Sequence, residues 1–131
     1  EKYNLRKNIV ILGELHYDDI PKFLLSIDLY IQPSISEGSP ITLKEAMASS
    51  LPILASTAGG IPEIIEHNKT GILFENKNAL ELEKGLKKII TMDESLRTKM
   101  GLRARKSSLK RFNIEKTAKT LNNIYNAVLE K

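Results

Sequence analysis

Two carboxylates eight residues apart are the groups in this chain best placed for chemistry. Glu37 stands in a loop of serine, glycine and proline, and Glu45 stands in the helical segment that follows. A loop that feeds a helix start presents free backbone N–H groups and the positive end of the helix dipole, and both favour a phosphate. Carboxylates near that phosphate could accept hydrogen bonds from sugar hydroxyls. The segment from Ser34 to Pro62 therefore suggests a site for a sugar joined to a diphosphate.

Composition argues against several other kinds of site. The chain has no cysteine, which excludes disulfides, thiolate metal ligands and cysteine nucleophiles. Its two histidines, His16 and His67, lie far apart in sequence, so no histidine metal cluster is expected. Aromatic residues are only 5% and no nucleic-acid-binding motif is present, so no nucleic-acid partner is expected. We find no apolar run of the roughly 20 residues that span a bilayer and no signal-peptide pattern, and we expect a cytoplasmic location.

The formal net charge of +4 is unevenly spread along the chain. One interpretation of the basic cluster near the C-terminus is a solvated helix face. The other is peripheral contact with a membrane carrying anionic lipid, or with an anionic acceptor. The cluster comprises Lys99, Arg103, Arg105, Lys106, Lys110 and Arg111.

Short apolar segments alternate with helical ones along the chain. This alternation predicts an α/β fold with a parallel sheet, followed after Phe74 by a helical tail that packs across one face. Ser39 is predicted to cap the helix that carries Glu45, with Pro40 as its first residue. The predicted strands are residues 8–12, 29–32, 52–55 and 71–74. The predicted helices are residues 18–26, 40–49, 62–66, 79–90, 93–107 and 114–129.

An ordered set of sequence blocks resembles the C-terminal domain of retaining glycosyltransferases of family 4. The resemblance runs from about Ile9 to Tyr125. It implies half of the two-domain GT-B architecture: a Rossmann-like parallel sheet with flanking helices, truncated at its N-terminus and ending in a helical C-terminal tail. Residues 1–131 would be a partial nucleotide-sugar-binding domain, with an α/β core at about 9–74 and a helical part at about 78–131. The blocks are Leu12-Gly13, residues 28–34, Glu37-Gly38, residues 45–48, 51–53, 59–65 and 70–74.

The resemblance also implies roles for the residues around the two glutamates. Glu37 would be the catalytic-site residue that contacts the donor sugar, and Glu45 would contact the nucleotide ribose. The partner would be a nucleotide-sugar donor, which is a substrate, and neither a cofactor nor a metal is expected. The loop residues facing the sugar and diphosphate would be Gly38, Ser39, Ile41 and Thr42.

Two further expectations concern what surrounds this segment in a complete enzyme. An acceptor-binding N-terminal domain and two more strand–helix units would precede Glu1, so the isolated chain should be inactive. The strand at residues 8–12 would then lack its neighbours. It should either lie out of place or obtain them from another chain, by strand exchange or as a homo-oligomer.

Rival functions remain open at this point. The alternative from a different class is a non-catalytic nucleotide- or sugar-binding module that works with a partner chain. An epimerase of the same architecture matches the residue 37–60 blocks less well. A response-regulator receiver domain would need an acidic pair after its first strand and a phosphoacceptor aspartate at a strand end, and neither is evident.

The chain departs from the family pattern at Ser50, where the family usually has glycine. A left-handed helix end at this position would suit glycine and would cost serine about 1 kcal/mol, whereas a helix that ends in another way would carry no such cost, and both endings remain open. Gly59 and Gly60 are predicted to form a turn, and the resemblance places that turn beside the donor site.

Overall fold

A parallel sheet of three strands lies at the centre of the computed structural model, which describes residues 5–129. The strands β1 (Tyr30–Gln32), β2 (Ile53–Ser56) and β3 (Ile72–Phe74) are adjacent in that order. In register, Tyr30 pairs with Ile53 and Leu54 with Ile72. All four residues of β2 are buried, as a central strand covered on both faces requires. The predicted α/β fold with a parallel sheet is confirmed, and three of the four predicted strands form.

Six helices of residues 5–129 surround or follow the sheet, and four of them have a clear start signal. Proline in the first turn begins α1 and α3. The Asn78 side chain accepts from the Glu81 amide to cap α4, and Asp93 accepts from the Ser95 amide to cap α5. The helices are α1 (Ile20–Leu25), α2 (Ile41–Ala48), α3 (Ile61–Ile64), α4 (Ala79–Ile90), α5 (Glu94–Arg111) and α6 (Ile114–Leu129), with short 3-10 turns at Arg6–Asn8 and Tyr17–Asp19.

The two faces of the sheet have separate hydrophobic cores. Ile53 and Ala55 of β2 point into the larger core, built with α1, α2 and α3. Leu54 points the other way, into the core formed with β3, α4 and Met100 of α5. Because side chains alternate along a strand, these two sets follow directly from the sequence of β2. Helix α5 contributes to both cores and lies against α2.

Of the two helix endings left open at Ser50, the structure shows the left-handed one. Ser50 has a φ of 63°. Its amide donates to Met47 O at 3.1 Å, and the Leu51 amide donates to Ala46 O at 3.2 Å, which together form a Schellman motif. Gly101 of α5 lies directly under this turn, and a β-carbon on Gly101 would be only 2.0 Å from Ser50 O. A glycine in α5 thus lets the helix approach the end of α2.

The segment predicted as a buried strand at residues 8–12 is not a strand. Ile9, Val10, Ile11 and Leu12 are 59%, 80%, 90% and 54% exposed, and no strand within residues 5–129 pairs with them. In the single chain the segment lies outside the sheet, and its completion by another chain stays a prediction. An apolar run becomes a buried strand only beside another strand and under a covering layer, and neither is present here.

The helical tail after Phe74 is confirmed, but its packing differs from the prediction. Helices α4 and α5 cover the sheet, whereas α6 has no buried residue. Its apolar side chains Leu121, Ile124 and Val128 are 47%, 52% and 66% exposed, because no described surface faces them. None of the helices in residues 5–129 combines the length and apolar character that crossing a membrane requires.

Candidate functional site

Three loops leave the carboxyl edge of the sheet side by side. Asn76, after β3, joins them: its side chain donates to Ile35 O at 2.8 Å and its amide donates to Thr57 Oγ1 at 3.1 Å. Ser56 Oγ donates to Ser34 O at 2.7 Å. Ligands of open α/β sheets bind at this edge. The loop after β1, which carries Glu37, is therefore held in place by the ends of both other strands.

Glu37 has one carboxylate oxygen fixed by two neutral donors. Gln32 Nε2 lies 2.9 Å from Glu37 Oε1, and Ser34 Oγ lies 2.8 Å from the same oxygen. Gln32 Nε2 also donates to Ser34 Oγ at 2.7 Å. Within residues 5–129 the second oxygen, Oε2, has no hydrogen-bond partner. The half-buried carboxylate is thus oriented and keeps one oxygen for a ligand.

Tyr30 extends this network toward α2. Its hydroxyl donates to Gln32 Oε1 at 2.5 Å and lies 3.0 Å from Thr42 Oγ1. Burial raises the pKa of Tyr30; the bond with Thr42 lowers it, and the negative charges of Glu37 and Glu45 raise it further. The hydroxyl therefore stays protonated near neutral pH. By donating to the amide oxygen of Gln32, it turns the NH₂ group of Gln32 toward Glu37.

Glu45 also lies near Tyr30. Its half-buried side chain lines a cavity of about 260 Å³ with Gly13, Tyr30 and Thr42. It also lines a cavity of about 600 Å³ that extends along α2 to α5 and the start of α6. The structure thus places both glutamates around Tyr30, with no hydrogen bond between them. Glu45 faces space large enough for part of a nucleotide.

The Gly59-Gly60 turn lies directly behind the Glu37 loop. Gly59 has a φ of +49°, and a β-carbon on it would be 1.7 Å from Glu37 O. The Gly60 amide donates to Glu37 O at 3.3 Å, and a β-carbon on Gly60 would be 2.2 Å from Gly38 O. The predicted turn is confirmed. By contrast, a β-carbon on Gly38 would meet no other protein atom within 4 Å, and the expectation that Gly38 faces the sugar and diphosphate stays a prediction.

The start of α2 differs from the predicted capping arrangement. The helix begins at Ile41, and Pro40 occupies the N-cap position with no side-chain cap. Ser39 does not cap it: its hydroxyl accepts a hydrogen bond from Lys44 Nζ at 2.7 Å. The first turn also carries no acidic residue. The first amides of α2 therefore receive no side-chain acceptor, and Ser39, Ile41 and Thr42 are exposed beside them.

Three residues with no predicted role belong to this site, namely Tyr30, Gln32 and Lys44, and Ser34 joins them through its bond with Glu37. Tyr30 and Gln32 are two residues apart on β1, so their side chains lie on the same face of the sheet. Ser34 follows at the same spacing, and this spacing of polar side chains was a signal in the sequence for the network around Glu37. Lys44 had none, because its contact with Ser39 depends on where α2 begins. Within residues 5–129, no three histidine, cysteine or acidic side chains converge in a way that could hold a metal.

Known proteins with similar sequence and structure are glycosyltransferases. The chain is 32% identical over 126 residues to N-acetyl-alpha-D-glucosaminyl L-malate synthase of Bacillus anthracis, covering 96% of this chain and 32% of that enzyme. It superposes on Anabaena HepE in complex with UDP-glucose with a TM-score of 0.83, at 26% identity over 93% of this chain and 34% of HepE. The fold also matches sucrose-phosphate synthase from Thermosynechococcus elongatus, with a TM-score of 0.92 at 23% identity over 98% of this chain and 32% of that one.

The chain spans about a third of the length of the curated relatives that it matches over most of its own length. The family model described as glycosyl transferases group 1 matches residues 1–107, which include the sheet, the Glu37 loop and α2. The chain belongs to the glycosyl transferases group 1 family.

Proposed function

We propose that residues 1–131 form part of the C-terminal, donor-binding domain of a retaining glycosyltransferase of family 4 with GT-B architecture. The chain would bind a nucleoside diphosphate sugar as the donor. The observation that carries this proposal is the oriented carboxylate of Glu37 beside the uncapped start of α2. The complex of HepE with UDP-glucose supports the choice of donor class.

The sugar and diphosphate would occupy the loop between Glu37 and α2. Oε2 of Glu37 would accept hydrogen bonds from sugar hydroxyls. The backbone of Gly38, Ser39, Ile41 and Thr42 would face the diphosphate, which the positive end of α2 stabilises. Lys44, held at Ser39, adds a positive charge one turn into the helix. An oriented carboxylate beside free amides suits an uncharged sugar on an anionic leaving group.

The nucleoside would lie along Tyr30 and α2. Glu45 would accept hydrogen bonds from the ribose hydroxyls in the cavity of about 260 Å³ that it lines with Gly13. The half-buried position of Glu45 supports this role, since hydrogen bonds to a carboxylate are stronger where water is partly excluded.

In the reaction, the bond between the anomeric carbon and the diphosphate oxygen breaks, and an acceptor oxygen bonds to that carbon on the same face. The acceptor proton leaves with the nucleoside diphosphate. The contribution of this chain would be to position the sugar through Glu37 and to offset the charge that develops on the diphosphate through α2 and Lys44. Glu37 is thus a sugar-binding group and not the acid or base of the step.

The ribose role of Glu45 can be tested by calorimetric titration of the 131-residue chain. We expect Glu45→Ala to weaken UDP binding about tenfold, the value of one hydrogen bond to a charged group. The same substitution should leave binding of 2′,3′-dideoxy-UDP unchanged, because that ligand lacks the hydroxyls. Glu115→Ala, an exposed glutamate on α6, is the matched control. Equal weakening of both ligands by Glu45→Ala would contradict the ribose contact.

Retention is tested on the full-length transferase that contains this sequence. Proton NMR of the product should give the anomeric configuration of the donor sugar. The opposite configuration would refute a retaining mechanism while leaving donor binding intact.

A further inference from the structure

We propose that a basic cavity between α5 and the loop before β3 binds a phosphate group. This cavity, which we call the basic cavity, has a volume of about 370 Å³. Arg103, Lys106, Ser107 and Lys110 line it from α5, and Lys69 and Thr70 line it from the loop. Because that loop enters β3, the basic cavity lies at the amino edge of the sheet. The Glu37 loop leaves the carboxyl edge, so the two sites are separate.

The basic cavity holds an excess of positive charge. Five cationic side chains line it and only one carboxylate, Glu66, which Lys69 pairs with at 3.1 Å. Arg111 is also engaged, since its guanidinium donates to the carbonyl oxygens of Glu63 and Ile64. The other three cations, Arg103, Lys106 and Lys110, form no ion pair within the described residues 5–129.

The arrangement of these charges on α5 is unfavourable without an anion. Arg103, Lys106 and Lys110 are three and four residues apart, so each is the neighbour of the next on one helix face, and like charges at this spacing destabilise a helix. Helix α4 shows the opposite pattern: Lys84 and Lys87 pair with glutamates at 2.8 and 2.6 Å. Between Glu94 and Arg111, α5 carries no acidic residue that could do the same. An external anion would relieve this repulsion.

The chemistry of the lining suits a phosphate. A guanidinium donates two parallel hydrogen bonds to phosphate oxygens, and two ammonium groups add compact positive charges. The half-buried hydroxyl of Ser107 has no hydrogen-bond partner in the described part of the chain and could donate as well. This combination recognises a phosphate either free in solution or on a lipid headgroup.

The test compares two triple variants that remove the same charge. The cavity triple removes the three unpaired cations of the basic cavity and keeps Arg111. It combines Arg103→Gln, Lys106→Gln and Lys110→Gln. The control triple, Lys77→Gln, Lys116→Gln and Lys119→Gln, removes three exposed lysines elsewhere. Circular dichroism and the thermal midpoint of both variants check that each folds as the parent chain does.

Two probes distinguish the source of the phosphate. Titration with glycerol 3-phosphate, followed by amide NMR, should shift Thr70 and Ser107 without shifting residues 38–42. Vesicles of phosphatidylglycerol, compared with vesicles of phosphatidylcholine, test for binding to a lipid headgroup at a membrane surface.

With either probe, we expect the cavity triple to bind at least tenfold more weakly and the control triple to bind as the parent chain does. The affinity of the parent chain should fall as the salt concentration rises. Binding of vesicles alone assigns a lipid headgroup, and binding of glycerol 3-phosphate alone assigns a soluble phosphate. Absence of binding to both probes, or equal loss in both triples, would overturn the proposal.

Discussion

The backbone of Gly59 touches the backbone of Glu37: a β-carbon on Gly59 would lie 1.7 Å from Glu37 O, at a φ of +49°. The neighbouring Gly60 amide donates to that same oxygen. The peptide group of Glu37 is therefore held from behind by a turn that only glycine can form at this separation. The side chain of Glu37 is held independently, by Gln32 and Ser34.

This contact predicts a severe effect of Gly59→Ala. The β-carbon would have to displace the Glu37 carbonyl, and we expect the free energy of unfolding to fall by about 3 kcal/mol. Gly13→Ala is the matched control, since Gly13 also has a positive φ, +72°, but a β-carbon there meets nothing within 4 Å. It should cost only about 1 kcal/mol. Urea unfolding measures both, and equal losses would contradict the contact.

Gln32→Ala should weaken recognition of the donor sugar more than that of the nucleotide. The substitution removes one donor from Glu37 Oε1 and the acceptor of the Tyr30 hydroxyl. The gain is the ratio of the affinity for a UDP sugar to the affinity for UDP, taken for the UDP sugar with the largest ratio. We expect Gln32→Ala to lower this gain about tenfold, which corresponds to the loss of one hydrogen bond to a charged group. Calorimetry with UDP and with the UDP sugar gives the difference. Asn123→Ala, an exposed amide on α6, serves as the control and should leave the gain unchanged.

Tyr30 should make the free energy of unfolding decrease as the pH rises in the alkaline range. Because its pKa is raised in the folded state, the unfolded chain releases the phenolic proton first as pH increases. The contribution of Tyr30 to stability is therefore complete below about pH 10 and is lost as pH rises through the folded pKa. Urea unfolding between pH 8 and 11.5 should show a decline for the parent chain that Tyr30→Phe reduces. Superimposable pH curves would argue against a raised pKa.

Ser50→Gly should stabilise the chain. Ser50 is in the left-handed conformation at a φ of 63°, which glycine adopts at no steric cost. We expect the free energy of unfolding to rise by about 1 kcal/mol. The adjacent Ser49→Gly is the control, because Ser49 has a right-handed φ of −83° and gains nothing from glycine. A thermal midpoint that rises in the first variant and not in the second would confirm the reason.

The sequence was most informative where the local pattern and the packing agree. The β2 segment is apolar at every position apart from Ser56, and it became the buried central strand. Residues 8–12 are equally apolar and yet exposed. An apolar segment gains stability when it is buried, but it is buried only where other strands or helices cover it. The local sequence of the segment does not specify those neighbours.

The candidate site was predictable in its position and less so in its contacts. The spacing of Glu37 and Glu45 placed them at the loop and helix after β1. The hydrogen bonds from Gln32 and Ser34 to Glu37 depend on side-chain orientations at the strand end, which spacing does not determine. The capping prediction at Ser39 was wrong because α2 begins one residue later than predicted, at Ile41, which puts Pro40 at the N-cap position and leaves the Ser39 hydroxyl to accept from Lys44.

The contact between α5 and the end of α2 also bears on synthesis at the ribosome. The Arg105 guanidinium donates to Ala48 O, 57 residues earlier in the chain, and Gly101 packs under the Ser50 turn. Until those later residues leave the exit tunnel, the helix that carries Glu45 lacks its C-terminal support. The nascent chain can thus pair β1 with β2 while the packing of α2 is still incomplete. A pause in translation after β2 has emerged and before α5 has emerged would prolong an intermediate in which the α2 side of the core is uncovered.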